Sequence, residues 1–189
     1  MMSITGTIFC LFFPACLGIL AQVIWGNTFN HQILALAMFF FGIEQARMAK
    51  LDLQLVHDAQ KQVQDVRLQR FKIITIITII LELCGFYLAS MYLGWGAIII
   101  LLSQIWFNLL VEIKINPNAD KYIKPWKITE RLPVLFADIL GLILMSLWIL
   151  EIADLWITWI LFVMLIIYLS AKAILFMQQI EFFPKHLNS

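Results

Sequence analysis

Charge is scarce in this chain. Of its 189 residues 13% are charged and 62% hydrophobic, whereas a soluble domain carries about a quarter charged residues. A soluble fold could not hide so much apolar surface, so lipid has to be its solvent. The formal net charge is +1, which removes the basic excess that a nucleic-acid binder needs. Three cysteines, Cys10, Cys16 and Cys84, form no CxxC or metal-ligand spacing, and their odd number argues against a complete disulfide set. Each sits in an apolar run, where a free cysteine is a small packing residue.

Catalytic signatures are missing too. There is no GxxxxGK[ST], no HExxH and no GxSxG, so the phosphate-loop, zinc-protease and serine-hydrolase chemistries lack their residues. Of the histidines, His31 opens an apolar run, His57 lies in a polar interval and His186 in the tail. None is placed for haem held inside a bilayer. No cofactor and no metal site are expected, and the chain does not read as an enzyme. No Lys or Arg precedes the first apolar run, so that run is expected to be a retained span, not a cleaved signal peptide.

What is present is a series of apolar blocks. Spans are expected over 5–25, 31–46, 73–93, 97–113, 132–150 and 155–176, each judged against the roughly 20 residues that cross a hydrocarbon core of about 30 Å. Pro14 falls inside the first and should kink it. The second is short, with an apolar centre of Ile33–Ile43 only. Gly94-Trp95-Gly96 is expected to turn the chain between the third and fourth, Asn116-Pro117-Asn118 to break it after the fourth, and Pro133 to open the fifth in its first turn. The expected fold class is all-α, a single polytopic bundle of six spans arranged as three helical hairpins.

One polar interval, Glu44–Lys72, separates the second and third spans and carries six of the thirteen Lys+Arg residues. Met48, Leu51, Leu55, Ala59, Val63 and Val66 recur in it at three- and four-residue steps, with no Gly or Pro to interrupt. That spacing predicts a long amphipathic helix over 44–72. Glu44/Arg47, Asp58/Lys61 and Lys61/Asp65 are helix-spaced opposite charges, worth about 0.2–0.5 kcal/mol each. If this interval is cytoplasmic, six alternating spans put all thirteen basic residues on that side, with Lys172 at the end of the last span counted there, which is the positive-inside pattern. Trp25, Trp95, Trp148 and Trp156 then mark the outer interface. The expected location is a bacterial-type cytoplasmic membrane with both termini cytoplasmic.

A few polar residues interrupt the spans. Glu82 lies mid-span, where an ionised acid costs about 2.5–3.5 kcal/mol on insertion scales. Gln104, Asn108 and Glu112 step by four along one face of the next span, and Asp138 lies early in the fifth. They read either as a polar solute or proton pathway or as interhelical hydrogen bonding. Glu82-x-x-Gly85-x-x-x-x-Ser90 also matches Asp138-x-x-Gly141-x-x-x-x-Ser146, a weak internal likeness. In length and span count alone the outline is similar to small membrane subunits such as the substrate-binding components of vitamin transporters, and outline does not carry function. The favoured expectation is a non-enzymatic subunit or scaffold that binds partner membrane proteins, or a second copy of itself, through the Met48–Val66 stripe. The alternative is a small transporter or permease component using the buried acids and amides.

Overall fold

The computed structural model describes residues 4–63, 65–115 and 123–182. In order these form α1 (Ile4–Trp25), α2 (Phe29–Gln62), α3 (Val66–Ala89), α4 (Leu93–Leu110), β1 (Ile113–Ile115), β2 (Ile123–Pro125), α5 (Ile128–Ile149) and α6 (Asp154–Phe182). Apart from turns and the small antiparallel pair of β1 and β2, the described residues are helical. Five helices, α1, α3, α4, α5 and α6, are long and apolar enough to cross a membrane. The Asn116-Pro117-Asn118 breaker, Lys121 and the tail from residue 183 lie outside the described residues.

Polarity is inverted relative to a soluble protein. On α3 the buried side chains include Thr75, Thr78 and Glu82, while Ile73, Ile77 and Ile80 face outward. On α4 Ser103 and Asn108 are buried, whereas Leu102 and Trp106 are exposed. Water would not tolerate that arrangement at such length, but lipid requires it, since polar groups in hydrocarbon must find partners inside the bundle. The apolar helices suit lipid contact along their outer faces.

Several boundaries depart from the sequence reading. The expected polar helix over 44–72 is two helices, because α2 ends at Gln62 and α3 begins at Val66. Val63 is extended, with φ −135° and ψ 127°. Asp65 then caps α3, its carboxylate accepting the Arg67 backbone N–H at 2.8 Å and pairing with the Arg67 guanidinium at 2.7 Å. The guanidinium holds the Asp65 carboxyl below the usual carboxylate range. An N-cap acid therefore ends the run that the apolar spacing extended. Lys61 pairs with Asp58 at 3.3 Å, and Asp65 with Arg67 instead of Lys61.

Gly94 and Gly96 do not form the turn expected of them. The turn is at 90–92, and both glycines lie inside α4. A Cβ on Gly96 would overlap the backbone of Ala89, and one on Gly94 would press on Ile149 of α5 at 2.6 Å, so Gly96 lets α4 start hard against the end of α3 and Gly94 lets the end of α5 approach it. The fourth span ends at Leu110, short of the expected 113, where β1 takes over. α5 begins at Ile128, so Pro133 lies within the helix and not in its first turn. α1 runs unbroken through Pro14.

Two hydrogen bonds fix how α2 lies against its neighbours. Near its end, Lys72 Nζ on α3 donates to Gln60 Oε1 at 3.4 Å. Further back, Gln104 of α4 donates to both Gln45 of α2 and Glu82 of α3. Residues 45–60 of α2 therefore run antiparallel beside residues 72–82 of α3. The polar half of α2 is not a rod projecting from the bundle.

Two cores result. The larger joins Phe12 and Ile19 of α1, Leu34 of α2, Phe86 of α3, Ile100 of α4 and Met145 of α5. The smaller packs Val56 and Ala59 of α2 against Leu68 and Phe71 of α3 and Val111 and Ile113 beside the hairpin.

Gly96→Ala is expected to destabilise the bundle by about 1–3 kcal/mol through overpacking against rigid backbone. Gly141→Ala, whose Cβ would lie 3.2 Å from the movable Leu101 Cδ2, should change little. Thermal unfolding midpoints in one detergent compare the two, and equal midpoints would refute the packing account.

Candidate functional site

The interior polar side chains converge on α4. This helix carries Gln104 and Asn108 one turn apart, with α3 on one side and α5 on the other. The Gln104 amide donates to Glu82 Oε1, and the Asn108 amide donates to Asp138 Oδ2 at 3.4 Å and to the Gln104 carbonyl at 3.0 Å. Each acid thus sits on its own helix and receives an amide from α4.

The short likeness between the third and fifth spans has a structural counterpart. Three residues after each acid comes a buried glycine, and both glycines face α4. A Cβ on Gly85 would press on Ile100 at 2.6 Å, and one on Gly141 would touch Leu101 at 3.2 Å. The glycines let α3 and α5 approach α4 closely, which brings the acids within reach of its amides. The serines complete the pattern: Ser90 Oγ donates to the Tyr87 carbonyl and Ser146 Oγ to the Leu142 carbonyl.

These groups border a cavity of about 620 Å³ walled by residues of α2 to α6 and Trp126. Glu82, Gln104, Asn108 and Asp138 all line it. Much of the remaining wall is apolar, including Leu34, Phe41, Leu101, Met145 and Leu165. Thr75 and Thr78, two turns and one turn before Glu82 on the same face, also line it. Both are buried, at 1% and 5% exposure, and neither hydroxyl has a hydrogen-bond partner among the described residues.

Glu112 does not join this group. It lies beyond the end of α4, exposed, and pairs with Arg70 at 2.9 Å, because α4 stops at Leu110 and the four-residue step is lost.

The expected docking stripe is divided among different surroundings. Met48 lines the cavity, Ala59 is fully buried, and Leu55 packs against the smaller core. Leu51 and Val63 are half-buried. Val66 is 85% exposed but belongs to α3.

Other contributors were not singled out from the sequence. Gln45, Asp52 and Tyr168 line the cavity. Gln45 follows the short apolar centre of the second span, and Asp52 lies in what read as a solvated rod. Tyr168 is one aromatic among many in α6. Arg131 is also buried, at 5% exposure. Its guanidinium donates to the carbonyls of Asn108 and Trp126 and stacks over the Trp126 ring at 5.5 Å. It thereby satisfies a carbonyl in the last turn of α4, where a cation is favoured, and pins the hairpin and the start of α5 beside the cavity.

No protein-family model matches this chain, and no curated protein or solved structure matches it either. Function has to rest on the site itself.

Gln104→Leu removes the amide that serves Glu82 and should cost about 1–3 kcal/mol, the usual penalty for orphaning a buried polar partner. Glu82→Leu combined with Gln104→Leu should cost less than the two single changes summed, as coupled neighbours do. Strictly additive unfolding midpoints would show that the two side chains do not act as a pair.

Proposed function

We propose that this chain is a six-span integral membrane protein that holds a small solute inside its helix bundle, as a permease or as the solute-binding component of a transport assembly. The observation that carries this is the cavity of about 620 Å³, which is of the size of small-molecule sites and has their make-up, apolar walls with a few convergent polar groups. Buried acids and amides within membrane-crossing helices are functional candidates by default, since structure alone could use apolar residues there.

The sixth span is α2. Its 34 residues would extend about 50 Å at 1.5 Å per residue, more than a hydrocarbon core needs. The register beside α3 supports a crossing that includes much of 44–57, with Gln45 and Asp52 turned toward the cavity. Three turns, 26–28, 90–92 and 150–153, contain no Lys or Arg. The other end carries Lys61, Arg67, Arg70, Lys114 and Lys124. The positive-inside rule then assigns that basic end, and both termini, to the cytoplasm. Trp25, Trp95 and Trp156, all well exposed, anchor the opposite interface.

The second reading is a subunit that docks partner membrane proteins or another copy of itself. α6 favours it: among its described side chains only Ile157 and Thr158 are buried. The Met48–Val66 stripe supports it less, because much of that surface packs against the chain itself.

Native mass measurement after gentle purification separates the two. On the proposed reading the protein retains a small molecule, and Ala137→Trp at the exposed cavity margin abolishes retention while unfolding is unchanged. A stoichiometric protein partner with no small-molecule adduct would favour the subunit. Reporters fused to the C-terminus and inserted at residue 27 should fall on opposite sides of the membrane, the former cytoplasmic. An exported C-terminal reporter would reject the six-span topology.

A further inference from the structure

We propose that the cavity takes an organic monocation, a molecule with an apolar body and a protonated nitrogen, with Glu82 and Asp138 as its counter-charges. This rests on the solute-binding reading and narrows it to a ligand class.

The first observation is a missing counter-charge. Among the described residues, neither Glu82 nor Asp138 takes part in an ion pair; their described hydrogen-bond partners are neutral amides. Glu82 is buried and Asp138 half-buried, and carboxylates withdrawn from water are ordinarily paired with a cation or held by several donors. Among the described residues, none that lines the cavity is Lys, Arg or His. Arg131 is turned away, onto the Asn108 and Trp126 carbonyls. An anionic ligand would meet acids and no base.

The second observation is independent of the acids. The Thr75 and Thr78 hydroxyls line the cavity, are buried, and have no hydrogen-bond partner among the described residues. Together with Glu82 they form one polar strip along α3, spaced three and four residues apart. A ligand bearing N–H donors can satisfy such a strip, donating to the carboxylate and to hydroxyl oxygens at once.

The third observation is size and lining. A bare inorganic cation would leave most of a 620 Å³ cavity unfilled and its apolar wall uncovered. Hard cations also require a shell of several oxygen ligands at short range, and no group of three or more His, Cys, Asp or Glu placed to hold a metal exists among the described residues. Phe41, Leu101, Met145 and Leu165 instead offer surface for an aromatic or aliphatic body.

The test uses a matched set of probes: 1-naphthylmethylamine, 1-naphthylmethanol and 1-naphthoate, which share a ring system and differ in charge. Equilibrium binding is measured to the full-length protein in nanodiscs of zwitterionic lipid, with empty nanodiscs subtracted. The amine is expected to bind at least about tenfold more tightly than the alcohol, and the carboxylate not measurably; tenfold corresponds to about 1.4 kcal/mol. Glu82→Gln and Asp138→Asn, which keep the shape and an acceptor for the α4 amides, should each reduce amine binding about tenfold and bring it towards the alcohol. Charge selectivity in the unaltered protein is read without any variant, so a variant that fails to fold does not blunt the test. Equal binding of amine and alcohol, or preference for the carboxylate, overturns the cation and leaves the solute cavity standing. Saturable amine binding that survives both substitutions overturns the assigned counter-charges. If none of the three probes saturates the protein, the monocation proposal falls, and small-molecule retention in the native mass, together with its loss in Ala137→Trp, decides separately whether the cavity reading falls with it.

Discussion

Everything in this bundle follows from one constraint: a polar group at membrane depth must find its partner inside the protein. Hydrocarbon offers no hydrogen bonds, and an unsatisfied group there costs several kcal/mol. The outward surfaces of the long helices are therefore Ile, Leu, Phe and Trp, and the inward ones carry Thr, Ser, Gln, Asn and acids. Since hydrophobic side chains gain nothing by leaving lipid for one another, close packing and internal hydrogen bonds hold the helices together. Both are concentrated on α4. Small residues let α3 and α5 approach it, and its two amides then reach the two acids.

The central place of α4 also bears on the choice between interhelical glue and the proposed binding site. Interhelical hydrogen bonds in membranes average about 0.6 kcal/mol, whereas inserting an acid costs several times that. A Ser or Asn in place of Glu82 would hydrogen-bond Gln104 with no charge to bury. Two acids kept beside a cavity, with amides and not bases for company, make poor economy as structure. That economy is what supports the proposal of a ligand that enters the cavity.

Much of the fold was legible in the sequence because hydropathy blocks and helix-spaced polar residues obey simple periodicities. Glu82, Gln104, Asn108 and Asp138 were all recognisable as inward-facing, and they do meet. Glu112 shares their four-residue step but lies past the end of the helix, and periodicity cannot show where a helix stops when an apolar Val and Ile follow. The glycines of Gly94-Trp95-Gly96 read as a turn for a similar reason. Glycine marks close approach as often as reversal, and only the position of Ala89 distinguishes the two. The cap at Asp65 was hidden because Lys61 offered it an equally plausible partner one helical turn away.

α2 is the instructive failure. Its polar half reads as solvated because its charges are many and its hydropathy low, yet residues 45–60 lie beside α3 and its Gln45 reaches into the interhelical network. Hydropathy averages over the circumference of a helix. A helix that faces lipid on one side and a polar cavity on another averages to neither, so α2 falls outside the five helices that are apolar enough to cross a membrane, whereas the proposed topology needs it as a sixth. The same low hydropathy that disqualifies α2 as a span by composition is what a cavity-lining span requires. Residues of the same long helix line the cavity, which is what the solute-binding proposal draws on.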